Sequence, residues 1–435
     1  MHYLPNILFA VLLIIGIGFF AKNVKKLIRN IRLGKTVDRS DNSSLRLKNM
    51  INIALGQSKM VKRPVSGFLH VIVYVGFIII NIEVLEIIID GLFGTHRIFS
   101  SLAGFYGFLI GTFEILAFLV LVSVIVFWIR RMILRIPRFW NKEMKGFPKN
   151  DALYILYFEM VLMSLFLVMN ATDTHFQQAN SGNLISQFIA PLFNGFNAET
   201  LHIIERGAWW IHIVGILVFL NYLYYSKHLH ILLAFPNTYF ANINPYGKFS
   251  NLKSVTDEVK MMLDPSIDPY AIPVESDTPV DTVPDKFGAE DIFDLDWVQL
   301  MNAYTCTECG RCTSVCPANI TGKELSPRAI MMKTRDRIEE VGKNIDKNGK
   351  FVADENNLFT TISNEELWAC TSCNACVEEC PINIDPLSII MDMRRFLVME
   401  KSAAPQELNA MMANIENNGA PWQYNQLDRL NWIEE

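Results

Sequence analysis

The chain of 435 residues has no cysteine before position 306 and no histidine after position 230. Charge is scarce too: 19% of residues are Asp, Glu, Lys or Arg, against 51% apolar. So large an apolar share, gathered in long runs before residue 235, excludes a wholly soluble enzyme. The formal net charge of -5 argues against nucleic acid as a partner. No G-x-G-x-x-G follows a strand and no P-loop occurs, so nucleotide and hydride chemistry belong elsewhere. Eight cysteines in one half and eight histidines in the other point to two kinds of metal centre.

A membrane-spanning helix needs about 20 apolar residues. Five segments qualify, at 4–21, 66–90, 104–129, 152–172 and 203–226. The first has no basic stretch before its apolar run and no A-x-A site, so it reads as an uncleaved span, not a signal peptide. Lys and Arg number twelve in 22–63 and seven in 130–149, whereas 91–103 holds only Arg97 and 173–200 none. The bias predicts an outer N-terminus and a cytoplasmic C-terminal half in a prokaryotic inner membrane. Residues 235–295 read as an extended linker, with a stretch rich in Pro and Asp from Pro265 to Pro284.

Residues 306–317 read CTECGRCTSVCP and 370–381 read CTSCNACVEECP. Both are C-x2-C-x2-C-x3-C-P, a run that wraps three thiolates around a [4Fe–4S] cube from one loop. In two-cluster proteins the fourth Cys of each run ligates the other cluster. One cluster is then expected on Cys306, Cys309, Cys312 and Cys380, the other on Cys370, Cys373, Cys376 and Cys316. Zinc sites use two C-x2-C pairs, not triplets ending in C-P, and a cytoplasmic location disfavours disulfides. Pro317 and Pro381 are placed to start the next helix. Segments 326–341 and 386–400 look helical, so 296–400 resembles the α-helical ferredoxin domain of quinone-linked respiratory iron–sulfur subunits, with 401–435 as a tail.

Ionisable residues inside a membrane are candidates for function. In the fifth span His212 and His230 are 18 residues apart, five whole helical turns, so they share a face, about 27 Å apart along the axis. His228 would then point nearly the opposite way. His70 lies one turn inside the inner end of the second span and matches the depth of His230, so the two could clasp one haem b. A packing role for His70 and an interfacial role for His230 or His228 are the plainer alternatives. A second haem on His212 needs an outer partner. His96, His175 and His202 are the candidates, and helical arithmetic places none of them.

This membrane half resembles the five-helix cytochrome b subunit of respiratory nitrate reductase, the gamma-subunit family. That family carries two ligands on its second helix and two on its fifth, the latter 18 apart, as His212 and His230 are. His70 matches the first ligand of the second helix, but Ile80 stands where the second would be and cannot ligate. With the two-cluster half, and on GFLH, SKHLH, CGRC and the CP ends, the chain resembles heterodisulfide reductase-related membrane oxidoreductases. The resemblance implies menaquinone or ubiquinone as substrate, a CCG-domain iron–sulfur subunit as partner, and a cytoplasmic flavoprotein or other soluble redox donor.

Quinone chemistry moves two protons with two electrons, so a carboxylate near the ring is useful. Glu83, Glu86 and Asp90 share one face of the second span by their i, i+3, i+7 spacing. Glu114 of the third span lies at a similar depth, and Glu159 of the fourth lies nearer the inner side. Simple contact with the outer interface is the competing account for Asp90 and Glu86. The expected fold is all-α, a five-helix transmembrane bundle followed by an α-helical dicluster ferredoxin domain. The expected function is an electron-transfer subunit between a cytoplasmic partner and the quinone pool. An iron–sulfur membrane assembly factor that reduces a metal, or a redox sensor, would have clusters and no haem.

Overall fold

The computed structural model describes residues 3–102, 104–179, 181–266 and 286–433. Among these the chain is helical, with no strand and a single isolated bridge, Lys35 to Asp296. Five helices are long and apolar enough to cross a membrane. They are α1 (Leu4–Ile31), α2 (Pro64–Phe93), α3 (Gly104–Met132), α4 (Phe147–Thr172) and α5 (Ala198–Tyr222). Local signals set several ends. Pro64 sits in the first turn of α2, and Gly94 closes it in the left-handed conformation at φ 73°. Gly146, at φ 76°, and Pro148 open α4.

Each helix packs on its neighbours in sequence, and α1 also packs on α5, so the five close into a ring. The main packed apolar core of the ring runs from Phe9, Ile87 and Tyr106 to Leu162 and Ile213. A second, small group is Ile155, Phe219 and Leu223. The space between the inner ends of α2 and α5 is where His70 lies.

The fifth span differs from the unbroken helix expected. It ends at Tyr222, turns through Leu223–Tyr225 and is extended at Ser226, φ -111° and ψ 149°. A new helix, α6 (His230–Phe240), starts at His230. The cause is Asp151 of α4, almost fully buried. It accepts the Lys227 N–H at 3.0 Å and the Tyr222 hydroxyl at 2.6 Å. A continuing helix would give that N–H to Leu223 instead. The shared-face arithmetic for His212 and His230, and the opposed direction of His228, therefore do not apply. Residues 235–240 belong to α6, and a further helix covers Lys253–Leu263, so much of the expected linker is helical. Most of Pro265–Pro284 lies outside the described residues.

The cysteine half is built on α7 (Trp297–Thr305), α8 (Pro327–Asn348) and α9 (Pro386–Met399), followed by α10 (Gln406–Asn418). Asp296 and Gln299 form a capping box on α7, and Ser326 caps α8 ahead of Pro327. Pro317 starts a one-turn helix as expected, whereas Pro381 opens only a turn. This half is not a separate bead. Leu27, Ala54, Leu229 and Ala234 of the membrane half belong to its apolar core. The inner end of α1 reaches it too, with Asn30 donating to Tyr304 at 2.9 Å. A Cβ on Gly342 would lie 2.6 Å from the Asn30 amide, so a larger residue there would push that side chain aside.

Arg328 of α8 is fully buried and pairs with Glu143, in the loop before α4, at 2.6 Å. Removing one partner of a buried pair leaves an uncompensated charge and costs about 3–5 kcal/mol, while replacing both costs far less. Glu143→Ala should lower the melting temperature of the detergent-solubilised chain, and Glu143→Leu with Arg328→Met should recover most of the loss. Thermal unfolding followed by intrinsic fluorescence checks this.

Candidate redox site

The two cysteine runs fold alike. The second residue after the first Cys has positive φ in both, Glu308 at 53° and Ser372 at 57°. So does the residue before the third Cys, counted two positions back, Gly310 at 70° and Asn374 at 59°. A left-handed residue at each place turns the backbone so that three thiols face inward. Glycine and asparagine at two of the four places suit this conformation.

The folded chain crosses the runs. Cys306, Cys309, Cys312 and Cys380 line one cavity together with Cys376. The Cys376 thiol is raised by burial and Asp385, then by its neighbours Cys370, Cys316 and Cys373. Burial pushes the Cys306 thiol up to about 12 and the Cys380 thiol up to about 11. Bare thiols so placed stay protonated at neutral pH, and a metal must displace the proton. Backbone N–H groups aim at sulfur as well, Ser372 N–H to Cys370 at 3.4 Å and Ile384 N–H to Cys380 at 3.2 Å. Such contacts favour the more negative state of a cluster. Cys373 alone of the eight is exposed.

The rings of His70 and His230 face each other with centroids 6.4 Å apart and planes 41° apart. Two imidazoles that share one metal through bonds of about 2.0 Å have centroids about 6.3 Å apart. His230 Nδ1 lies 3.1 Å from the Lys227 carbonyl, which leaves Nε2 free to ligate. His70 Nδ1 is buried without a partner. The pair is spaced so that its two imidazoles would hold a haem iron between them. His228 packs edge-on against His230 at 5.4 Å and against Phe219 at 5.4 Å, beside the pair.

Lys227 joins the two sites. Its ammonium pairs with Glu308, between Cys306 and Cys309, while its carbonyl orients His230. Glu308 is almost fully buried and also meets Arg335 at 2.8 Å. Burial alone would raise this carboxyl, but the two cations hold it below its ordinary range. Arg311, in the same loop, donates to the Lys59 and Met60 carbonyls at 3.3 Å, just ahead of α2 and His70. Lys227 and Glu308 are not legible in the sequence because nothing in either run marks the partner 81 residues away.

His212 is buried in the outer core. Its Nδ1 lies 3.0 Å from the Leu162 carbonyl, and its ring packs on Phe166. Ile80 is buried, and among the described residues no second imidazole faces His212. His96 is exposed and 3.3 Å from Asp173, His202 is 3.8 Å from Glu205, and His175 is exposed.

Glu86 and Glu114 meet in a buried polar network. Glu86 accepts the Phe99 N–H at 2.8 Å and the Tyr106 hydroxyl at 3.1 Å. Arg97 donates to Tyr106, Asn170 and Asp173. Asn170 in turn donates to Glu114 at 3.0 Å, and Glu114 accepts the N–H groups of Ile185 and Ser186. Asp90 caps the 95–98 turn. Glu83 is buried and its Oε2 has no partner. Glu159 is buried in α4. Arg97, Tyr106 and Asn170 join the network without a motif to announce them, although Arg97 stands out in sequence as an isolated cation on the outer side.

Residues 305–384 match the family model of the 4Fe-4S dicluster domain. The chain is 28% identical to the probable iron-sulfur-binding oxidoreductase FadF of Bacillus subtilis, over 99% of this chain and 61% of the relative. It is 24% identical to the EtfAB:quinone oxidoreductase of Syntrophomonas wolfei, over 92% of this chain and 55% of the relative. It is 28% identical to a subunit of the ferredoxin:CoB-CoM heterodisulfide reductase of Methanosarcina mazei, over 24% of this chain and 53% of the relative. The chain thus spans 55% to 61% of the length of the two oxidoreductases. No solved structure matches it. These relatives support an iron–sulfur electron-transfer function within a redox enzyme, on a chain with five membrane-length helices.

If the runs cross as the fold places them, Cys380→Ala and Cys309→Ala should alter the same electron paramagnetic resonance signal. Cys370→Ala and Cys316→Ala should alter the other. Spectra of the four dithionite-reduced variants check the grouping.

Proposed function

We propose that the chain is a membrane-bound electron-transfer subunit linking a cytoplasmic redox partner with the quinone pool, through two [4Fe–4S] clusters and one haem b. The observation that carries this reading is the facing of His70 and His230 at 6.4 Å, tied by Lys227 to the loop of Cys306 and Cys309. The relative from Syntrophomonas wolfei, an EtfAB:quinone oxidoreductase, supports the quinone end. The likeness to a heterodisulfide reductase subunit supports assembly with other redox proteins. In this reading the cysteine half faces the cytoplasm and the N-terminus lies outside, as the Lys and Arg bias requires. The membrane half takes the role of a nitrate reductase gamma-like cytochrome b. A CCG-domain iron–sulfur protein and a flavoprotein are the proposed partners, and menaquinone or ubiquinone is the substrate.

The clusters and haem, when bound, supply one-electron carriers. The protein's share is to hold and insulate them. Cys306, Cys309, Cys312 and Cys380 hold one cluster, and Cys370, Cys373, Cys376 and Cys316 the other. His70 and His230 would hold the haem through both imidazoles, which would suit a carrier and not oxygen chemistry. The Lys227 carbonyl fixes which nitrogen of His230 carries the proton. Glu83, with an unsatisfied oxygen, is the best placed of the carboxylates to exchange a proton with a quinone, and Glu86 and Glu114 stand in the same network. His212 is assigned to packing in this reading.

A reduced-minus-oxidised spectrum with a pyridine haemochrome assay tests the haem. The expected result is one haem b per chain, lost in His70→Ala and in His230→Ala and kept in His212→Ala, with iron–sulfur absorption unchanged. Iron–sulfur absorption without haem in a fully loaded wild-type preparation would overturn the reading in favour of an assembly factor or sensor. Glu83→Gln should slow quinone-dependent turnover by about 100-fold, the usual range for losing a positioned acid–base group. Stopped-flow reoxidation by a soluble quinone analogue measures it.

A further inference from the structure

The surroundings of the two cysteine sets differ in charge. Several cations near the first set are already answered by carboxylates: Lys227 and Arg335 by Glu308, Arg328 by Glu143, and Arg63 by Glu379. Three are not. Lys59 directs its ammonium at backbone oxygens, 3.4 Å from Val377 and 3.3 Å from Cys380. Arg311 lines the cavity of the first set and donates only to the Lys59 and Met60 carbonyls and the Met60 sulfur. Arg138 stands against the same loop, its Cβ 3.4 Å from where a Gly310 Cβ would be, and its Nε is buried without a partner. None of the three has a carboxylate within 4.0 Å among the described residues.

Beside the second set, Arg394 donates to the carbonyls of Leu367 and Cys370. The Asp385 carboxylate neighbours Cys376, and Arg39 stands beyond it and acts on Asp385. Three uncompensated cations thus face the first set, whereas Arg394 and the Asp385 carboxylate, with Arg39 behind it, stand about the second.

A cluster gains negative charge when it takes an electron. A fixed cation in a medium of low dielectric stabilises that state more than water-screened charge does. Solvent at the exposed Cys373 and the half-buried Cys370 acts in the same sense on the second cluster, but the half-buried Cys309, Cys312 and Cys380 give the first cluster a share of it as well. We propose that Lys59, Arg138 and Arg311 poise the cluster held by Cys306, Cys309, Cys312 and Cys380 at the higher reduction potential. The exposed Cys373 edge of the other cluster is then where a soluble one-electron donor delivers. Each cluster takes one electron, and the electron rests on the membrane side, next to the loop that leads to His70. This deepens the electron-transfer reading and rests on the clusters, not on the haem.

The test is a redox titration of the purified full-length chain followed by electron paramagnetic resonance, with Cys373→Ser to assign the second cluster's signal. The first couple should lie above the second by at least a tenfold equilibrium constant, about 59 mV for one electron. Arg311→Met should lower the first couple alone, and Arg311→Lys, which keeps the charge and loses the paired hydrogen bonds, should restore it. Arg138→Met carries the same test should Arg311→Met fail to assemble. The reverse order of couples, or an unmoved first couple in both methionine variants, would overturn the proposal. A wild-type chain without about eight irons would instead overturn the cluster reading beneath it.

Discussion

The buried ion pair between Lys227 and Glu308 is the constraint on which the arrangement depends. Neither side chain has enough water around it to stay charged alone, so each needs the other in place. Glu308 cannot move without moving the backbone between Cys306 and Cys309. Lys227 cannot move without moving the carbonyl that orients His230. One contact therefore sets the distance between the cysteine loop and the imidazole pair. Asp151 strengthens it from the membrane side by holding the Lys227 N–H. The same hydrogen bond breaks the fifth span and turns His230 toward His70.

Much of the fold could be read from composition. Long apolar runs made the five spans legible, and the proline and serine punctuation made α8 and α9 legible. Cysteine spacing showed two four-thiol sets, because short loops of fixed length leave little freedom in how thiols converge. The pairing of His70 with His230 followed from matched depth, although His212 and His230 do not share the helix face that an unbroken fifth span would give them. An isolated rod over 203–226 would run on, and the break at Ser226 is caused by Asp151 on another helix. Hydropathy cannot report a side chain that captures a backbone N–H across 76 positions.

The polar network of the outer half was half legible for a related reason. Helical spacing gathered Glu83, Glu86 and Asp90, and depth added Glu114. The groups that satisfy them, Arg97, Tyr106 and Asn170, come from a loop and two other helices. Their meeting is a property of the closed ring of helices, in which the loop after α2 folds over the end of α4. Among these carboxylates, Glu83 has a buried oxygen without a partner, and that singles it out from the buried Glu86 and Glu114, which look alike in sequence.

The break at Ser226 also moves the boundary between the two halves. His230 opens α6, and α6 is anchored at its far end to the cysteine domain, where the buried Asn237 donates to the Ile382 carbonyl at 2.8 Å. Arg46 fastens the same end through the Tyr239 and Ala241 carbonyls. In mechanical terms His230 belongs to the cysteine domain and His70 to the bundle of long apolar helices. The imidazole pair is the seam between two bodies, and a pull that separated them would open it first. A cut at residue 234, where hydropathy would divide the chain, severs α6 and leaves His230 on a frayed end.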